Sequence, residues 1–427
     1  MGETVRLKAG ESVPAYRTGL VAVLDIGSTK TVCLIARCEP GSIKVLGAAL
    51  RESRGLRSGT VMEMTAAEES IRDCVAAAEN LADARLQNVL ISVNCGSPTT
   101  VTSRTAIPLP EGVAVNDEVL RHLLSEGRAR CQLEGHVVIQ SMPTSYVVDD
   151  SFGVRDPSGM VGQRIGVTMH GVAVKPTPLS NLRLAVERGH LKVAASLFAP
   201  YASGLSVLTD DEKQLGATII DMGGGCTSIA VFMEGHLVHA DMVPIGGQAV
   251  TNDIAVMLAA PLAAAERAKV LYGAALGDLE SGADVVSIPQ MGEENEEGDL
   301  RVPRSMLTRI IQARLEETFS EVHKRLRESG FDVAAGRRLV LTGGASQLAG
   351  ARELAGRVLN KQVRVGRPRP QAGLPASSAG PDYATAVGLL MAGATMPPEV
   401  LNPELQSQQA ENGTKGWLSR LTGGLIG

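Results

Sequence analysis

The sequence predicts an α/β protein in which two halves of the same design face each other across a nucleotide cleft, with a small α+β unit inserted in the first half. Three observations carry that prediction. Residues 218–231, T-I-I-D-M-G-G-G-C-T-S-I-A-V, read as a strand, an aspartate, a glycine turn and a second strand. Residues 21–35, V-A-V-L-D-I-G-S-T-K-T-V-C-L-I, repeat the pattern nearly two hundred positions earlier. Residues 339–341 are a short strand ending in a third glycine turn, Thr342-Gly343-Gly344-Ala345-Ser346, expected to open onto a helix over 348–359. Turns of this kind aim backbone N–H groups at a phosphate with no side chain in the way.

Composition narrows the function. A chain of 427 residues with 44% hydrophobic content forms two or more domains with sizeable cores. The 41 Lys plus Arg against 46 Asp plus Glu leave a net charge of -5, which speaks against a nucleic-acid partner. Cys33, Cys38, Cys74, Cys95, Cys131 and Cys226 have neither metal-site spacing nor disulfide-scaffold density, as expected of a reducing cytoplasm. Arg6 and Lys8 are not followed by an apolar stretch of signal-peptide length, so export is not expected.

Taken in order, residues 1–18 lack periodicity and read as a flexible arm. The first core half takes 19–97 and 173–214. It opens with the strand 21–24, turns through Asp25-Ile26-Gly27-Ser28-Thr29-Lys30 and returns as the strand 32–36. Ile71, Cys74, Val75, Ala78 and Leu81 predict a helix over 66–81, and 89–93 is a buried strand. Residues 98–172 change texture, with a strand over 101–107, a helix over 118–124 and a strand over 137–139, and form the inserted unit. A helix over 181–191, a strand over 193–198 and a helix over 202–208 close the half.

The second core half takes 215–236 and 331–396, with a subdomain at 237–330. That subdomain holds a strand over 237–243, the run Pro244-Ile245-Gly246-Gly247, helices over 251–258 and 263–271, and an exposed acidic loop at 291–299. Its last element is a helix over 304–328, periodic in Met306, Leu307, Ile310, Ile311, Leu315, Phe319, Val322 and Leu326. Arg352, Arg357, Lys361, Arg364, Arg367 and Arg369 read as a solvated basic face, with an anionic membrane as a second use.

Two similar halves would bring both Asp-Gly turns onto one phosphate chain. Gly27, Ser28, Thr29 and Lys30 then form one phosphate loop, and Gly223, Gly224, Gly225, Cys226 and Thr227 the other. Lys30 serves as a point charge on a phosphate or stands as a solvated turn lysine. A nucleoside triphosphate travels with Mg²⁺, a hard cation that keeps its waters, and Asp25 and Asp221 are the candidates for holding them. Turn capping by aspartate is the plain alternative.

These loops resemble those of the actin superfamily of ATPases, and within it the chain is similar to the bacterial cell-division FtsA family. The likeness also rests on Asp156-Pro157-Ser158-Gly159-Met160-Val161-Gly162, on Pro244-Ile245-Gly246-Gly247 followed by Val250-Thr251-Asn252-Asp253-Ile254-Ala255, and on Tyr383-Ala384-Thr385-Ala386-Val387-Gly388-Leu389. It spans about residues 20–392. The resemblance implies an actin-like fold whose cofactors are ATP and Mg²⁺, with adenosine met by Glu266 and Lys269 and by the loop Gly343, Gly344, Ala345 and Ser346. An exposed helix pair is the plain alternative for Glu266 and Lys269. The resemblance further implies a self-polymer on the cytoplasmic side of the inner membrane at the division site. There the protein tethers a tubulin-like division ring protein, whose C-terminal peptide docks on 237–330, with room for other division proteins as partners.

The chain departs from that pattern in three places. Cys226 and Ser228 stand where a threonine and an aspartate are usual, and Ala199-Pro200 stands where kinases and chaperones of the superfamily often place an acid. A missing carboxylate removes one water-activating group, so weak or negligible ATP hydrolysis is expected. The alternatives are an actin-like adaptor of another envelope machine, such as pilus assembly, and a small-molecule kinase.

Past Met396, residues 397–413 read as a flexible linker and 414–427 as an amphipathic helix. Trp417, Leu418, Leu421 and Leu425 share one side, flanked by Lys415 and Arg420, with Ile426 beyond. That face suits an anionic membrane surface, with Trp at the interface and basic stems reaching the headgroups.

Overall fold

In a computed structural model, residues 18–277, 284–292 and 299–396 are described, and the duplication seen in the sequence is a duplication of sheets. The first sheet runs Lys192–Phe198, Asn88–Val93, Gly19–Ile26, Lys30–Glu39, Ser42–Glu52, and the second runs Gln362–Val365, Arg338–Thr342, Ala217–Met222, Thr227–Met233, His236–Val243. In each, the central strand pairs antiparallel with the strand after its glycine turn and parallel with the strand on its other side. Both central strands are buried on two faces, which is why they read as near-continuous apolar runs.

The strand Ser42–Glu52 carries no clear β pattern because Gly47, Ala48 and Ala49 dilute it. Gly47 is required there by packing. A β-carbon on it would lie 3.0 Å from Ala82 Cβ and run into the Ala78 carbonyl of the helix Met64–Ala82.

The inserted unit is a four-stranded sheet, Thr99–Pro108, Arg164–Val174, Val137–Val148, Ser151–Val154, covered by the helix Asp117–Arg130. Asn116 caps that helix by accepting from Glu118 N and Val119 N, both at 3.0 Å. Leu123, Ile165, Val167 and Met169 form its own core. Ile139, Val172 and Val174 from the same two long strands join the core of the first half. Gln140 Oε1 also accepts from Phe198 N at 2.9 Å, so the two units share strand ends.

Several expected boundaries move. The strand His236–Val243, assigned from sequence to the 237–330 subdomain, is hydrogen-bonded to Thr227–Met233 as the outer strand of the second sheet. The helix expected over 181–191 is Pro176–Arg188, opened by proline in its first turn and followed by Gly189 and a left-handed His190 at φ 63°. The third glycine turn passes first into a 3₁₀ turn, Gly344–Gln347, and the α-helix is Ala351–Leu359. The helix Arg304–Glu328 occupies the residues its periodicity predicts, and Arg314 ties it to Asp253 on the helix Gly247–Met257 by two bonds of 2.5 and 2.9 Å.

The basic series is in part the solvated face expected, with Arg352, Arg357, Arg367 and Arg369 exposed, and in part paired. Arg364 chelates the buried Glu212, Lys361 pairs with Asp332 at 3.2 Å, Arg357 with Glu316 at 3.0 Å, and Arg352 with Glu353. Arg369 donates to Leu208 O at 2.9 Å. Apart from the neighbours Arg352 and Glu353, these contacts join elements distant in sequence.

The arm at 1–17, the acidic positions 293–298, the linker and the membrane candidates Lys415, Trp417, Leu418, Arg420, Leu421, Leu425 and Ile426 lie outside the described residues. No helix among the described residues is long and apolar enough to cross a membrane.

Candidate functional site

The two Asp-Gly turns are the same piece of backbone. Gly27 N donates to Lys30 O at 2.9 Å, and Gly223 N donates to Cys226 O at 2.9 Å, so each sheet closes its central hairpin with an identical four-residue turn. Asp25 and Asp221 precede the turns at equivalent places. The turns also touch. A β-carbon on Gly224 would lie 2.9 Å from Thr29 Cβ, and one on Gly225 would lie 2.6 Å from Ser28 Cβ. The second turn must be glycine because the first rests against it.

Between the halves lies a cleft of about 870 Å³, a size that holds a nucleotide. Of the candidate residues, Asp25, Gly27, Ser28, Thr29, Lys30, Asp221, Gly223, Gly224, Glu266, Lys269, Gly343, Gly344 and Ala345 line it. Gly225, Cys226, Thr227 and Ser346 do not. Thr227 Oγ1 donates to Ile245 O at 2.8 Å, Ser346 Oγ to Gly343 O at 2.7 Å, and the Cys226 thiol accepts from Asn94 Nδ2 at 2.9 Å. Ser346 braces its own loop, Thr227 ties the second turn to the loop at Ile245, and Cys226 meets the first half.

Both carboxylates are costly to ionise. Burial pushes Asp25 up to about 6, opposed by Lys30 and by the Ser92 hydroxyl that donates to Oδ1 at 2.7 Å, with Asp221 pushing the same way as burial. Burial also raises Asp221, opposed by hydroxyl bonds from Ser203 at 2.6 Å and Thr385 at 3.0 Å and by Lys30. Two desolvated carboxylates in one cleft are stabilised by a divalent cation. Among the described residues no group of three His, Cys, Asp or Glu side chains converges. Asp25 and Asp221 fit such a cation.

Lys30 is neither free nor simply solvated. Its ammonium meets the Asp382 carboxylate at 3.2 Å, donates to the Asp382 carbonyl and lies 5.3 Å from the centre of the Tyr383 ring. Lys269 donates to Glu266 at 2.7 Å, to Thr251 Oγ1 at 2.9 Å and to Gly247 O at 3.2 Å, while Thr251 donates to the same Glu266 oxygen. This network replaces the exposed helix pair offered as the alternative. Gly343 has φ 83°, and a β-carbon on it would meet Met222 O at 2.5 Å and collide with Asp221 Oδ1.

Sequence reading missed Asn94, which follows the strand Asn88–Val93 as Gly343 follows Arg338–Thr342, and which lines the cleft. Its Oδ1 accepts from Ser228 Oγ at 2.5 Å, so it links the first half to both unusual residues of the second loop. The pseudo-repeat of strand ends was the available signal. Ala199 also lines the cleft, so no acid stands there. Burial pushes the Cys226 thiol up to about 12, which keeps it protonated and unreactive.

Comparison with known proteins follows the same division. Residues 218–388 match the family model "Cell division protein FtsA", and residues 96–173 match "SHS2 domain inserted in FTSA". The chain is 41% identical over 391 residues to the cell division protein FtsA of Rhizobium meliloti, covering 89% of this chain and 88% of that one. It is 31% identical over 417 residues to that of Escherichia coli strain K12, covering 94% and 96%. Among solved structures, a PilM-PilN type IV pilus biogenesis complex superposes with a TM-score of 0.61 at 16% identity, over 88% of this chain and 99% of that one. MreB5 of Spiroplasma citri bound to ADP superposes with a TM-score of 0.51 at 11% identity, over 87% and 95%. At such identities these two likenesses establish an actin-like fold.

Proposed function

The chain belongs to the FtsA family of cell division proteins, and from that premise we propose that it binds ATP with Mg²⁺, polymerises on the cytoplasmic face of the inner membrane and tethers the tubulin-like division ring there. The observation that carries the nucleotide part is the pair of identical turns meeting across one cleft, each preceded by a buried aspartate. The glycine N–H groups hold the β- and γ-phosphates, Asp25 and Asp221 hold the waters of the cation, and Glu266, Lys269 and the loop at Gly343 receive the adenosine. Mg²⁺ supplies charge neutralisation of the phosphates. With alanine at position 199, no described acid stands there to activate a water, so turnover is slow and ATP acts as a clamp between the halves.

A peptide of the ring protein has a place on the second half. A groove of about 450 Å³ is lined by Val243, Pro244, Ile245, Glu317, Lys324 and Arg325. Val256, Met257, Leu262, Val270 and Leu271 are exposed on the same part of the chain. The membrane anchor is the tail helix, whose single weak contact is multiplied by polymerisation.

Purified protein with ATP, Mg²⁺ and anionic vesicles should form filaments on the vesicles while releasing phosphate slowly. Rapid phosphoryl transfer to a sugar would overturn this reading in favour of a kinase. Trp417 is the only tryptophan, so its emission should shift to the blue on vesicles and lose that shift in Leu418→Glu or Leu421→Glu. An unchanged spectrum under polymerising conditions removes the anchor.

A further inference from the structure

Asp221 is held by one oxygen only. Its Oδ2 accepts from Ser203 Oγ at 2.6 Å and Thr385 Oγ1 at 3.0 Å, and the two hydroxyl oxygens are 2.8 Å apart. Among the described residues nothing donates to Oδ1, which faces the turn at Gly343 on the wall of the cleft. Asp25 is arranged alike, with Oδ1 bound to Ser92 Oγ at 2.7 Å and Oδ2 without a donor among the described residues. Each aspartate therefore has one oxygen tied to the protein and one left over.

The hydroxyls that tie Asp221 come from different helices. Ser203 lies on Ala199–Val207 and Thr385 on Ala384–Thr395, and the two helices cross tightly enough that a β-carbon on Gly388 would fall on the Ala202 carbonyl. Ser206 Oγ adds a bond of 2.7 Å to Ala384 O at the same crossing. Ser203 is fully enclosed and Thr385 is only 7% exposed, at the wall of the cleft, so their bonds to Asp221 face little competition from water. The last torsion of an aspartate is broad and two-fold. Without donors on one side its oxygens exchange places, and neither is aimed.

We propose that Ser203 and Thr385 are positioning residues for the nucleotide's divalent cation: by occupying Oδ2 of Asp221 they present Oδ1 alone to the water shell of the ion. The inference rests on the reading of Asp221 given under Proposed function. One consequence is that the helix crossing and the cation share a set of hydrogen bonds, so a change in how the helices cross changes where Oδ1 points.

The test uses the full chain and a fluorescent ATP analogue, with affinity measured in Mg²⁺ and again in EDTA. The quantity read is the ratio of the two, because a merely structural loss lowers both equally. Wild type should show a large ratio and Asp221→Asn should abolish it. Ser203→Ala with Thr385→Val should lower the ratio about 10- to 100-fold, the usual effect of removing groups that orient a metal-facing carboxylate, with affinity in EDTA preserved. Thr385→Ser in place of Thr385→Val, which returns a hydroxyl at that position, should recover part of the ratio. If the double variant keeps the wild-type ratio while Asp221→Asn has lost it, the positioning role is wrong. If Asp221→Asn itself keeps the ratio, Asp221 does not face the ion and the inference falls with that reading. Should the double variant fail to fold, Thr385→Val alone preserves the side-chain shape and the same two outcomes are read from it.

Discussion

Asp25 is paid for in stability, and the sign of that cost can be worked out. Its folded value of about 6 lies above the ordinary 3.8, so the native state holds the proton more tightly than the unfolded chain. Stability therefore falls as pH rises from about 4 through about 6 and stays low above that range. Asp25→Asn removes the penalty. We expect its melting temperature without nucleotide or Mg²⁺ to exceed wild type at pH 7 and to match it near pH 4, measured by scanning calorimetry. Gly343 is a second residue whose role is set by geometry. At φ 83° and ψ 163° it occupies a region essentially closed to other residues, so Gly343→Ala should cost about 1–3 kcal/mol from the backbone alone. The accompanying collision with Asp221 should weaken ATP binding further, and titration with an ATP analogue would reveal wild-type affinity if the loop tolerates the methyl. At this scale the aspartates and glycines were legible in the sequence because a repeat exposes them. Ser92, Ser203, Thr385 and Asn94 were not, since a lone hydroxyl or amide has no local pattern and its partner lies as many as 182 positions away.

Among the elements, glycine again decides how closely neighbours approach. The helices Ala199–Val207 and Ala384–Thr395 are apolar almost all round, as expected of helices enclosed in a core. Their contact depends on Gly388. Gly388→Ala has no room beside the Ala202 carbonyl and should lower the melting temperature through overpacking, a cost of about 1–3 kcal/mol. The expected loss is larger than for Gly356→Ala, where a β-carbon meets its nearest neighbour at 3.4 Å in a helix interior. Equal melting temperatures for the two variants would refute close packing at the crossing. The clearly periodic helix Arg304–Glu328 was predicted to the residue, and the helix Met64–Ala82 to within two residues at either end. The short edge strand Ser151–Val154 and the strand Arg164–Val174 were missed, because Gly153, Gly166 and Gly171 interrupt the alternation that marks a strand.

For the whole molecule, the joint between the inserted unit and the second half is where acid is expected to act first. The strands Thr99–Pro108 and His236–Val243 pack together there, bringing His170 and His239 near each other. Burial and then His239 push His170 down to about 4, and burial lowers His239 against the pull of Asp241. Thr102 Oγ1 lies 3.5 Å from His170 Nδ1, Phe331 stacks on His239, and both Nε2 atoms are buried without a partner among the described residues. A histidine held below its ordinary 6.5 leaves stability intact above that pH and costs stability as pH falls towards about 4. Acidification from pH 7 to 5 should therefore speed hydrogen exchange in those two strands before the sheet cores respond. In His170→Gln that acid-dependent step should shrink, and an unchanged profile would place the sensitivity elsewhere.

The sequence by itself determined the class of the fold, the order of its halves and the two glycine turns that meet across the cleft. Those features are local, since a strand, an aspartate and a glycine turn are contiguous and their chemistry is written in adjacent residues. Only the tertiary structure decided which loop residues face the cleft and which turn to other partners, as with Cys226, Thr227 and Ser346. It alone attached His236–Val243 to the second sheet and paired Arg364, Arg357 and Lys361 with Glu212, Glu316 and Asp332. The physical reason is distance along the chain: hydrogen bonds and ion pairs between residues far apart in sequence form only once the chain has closed those loops, and no local pattern records them.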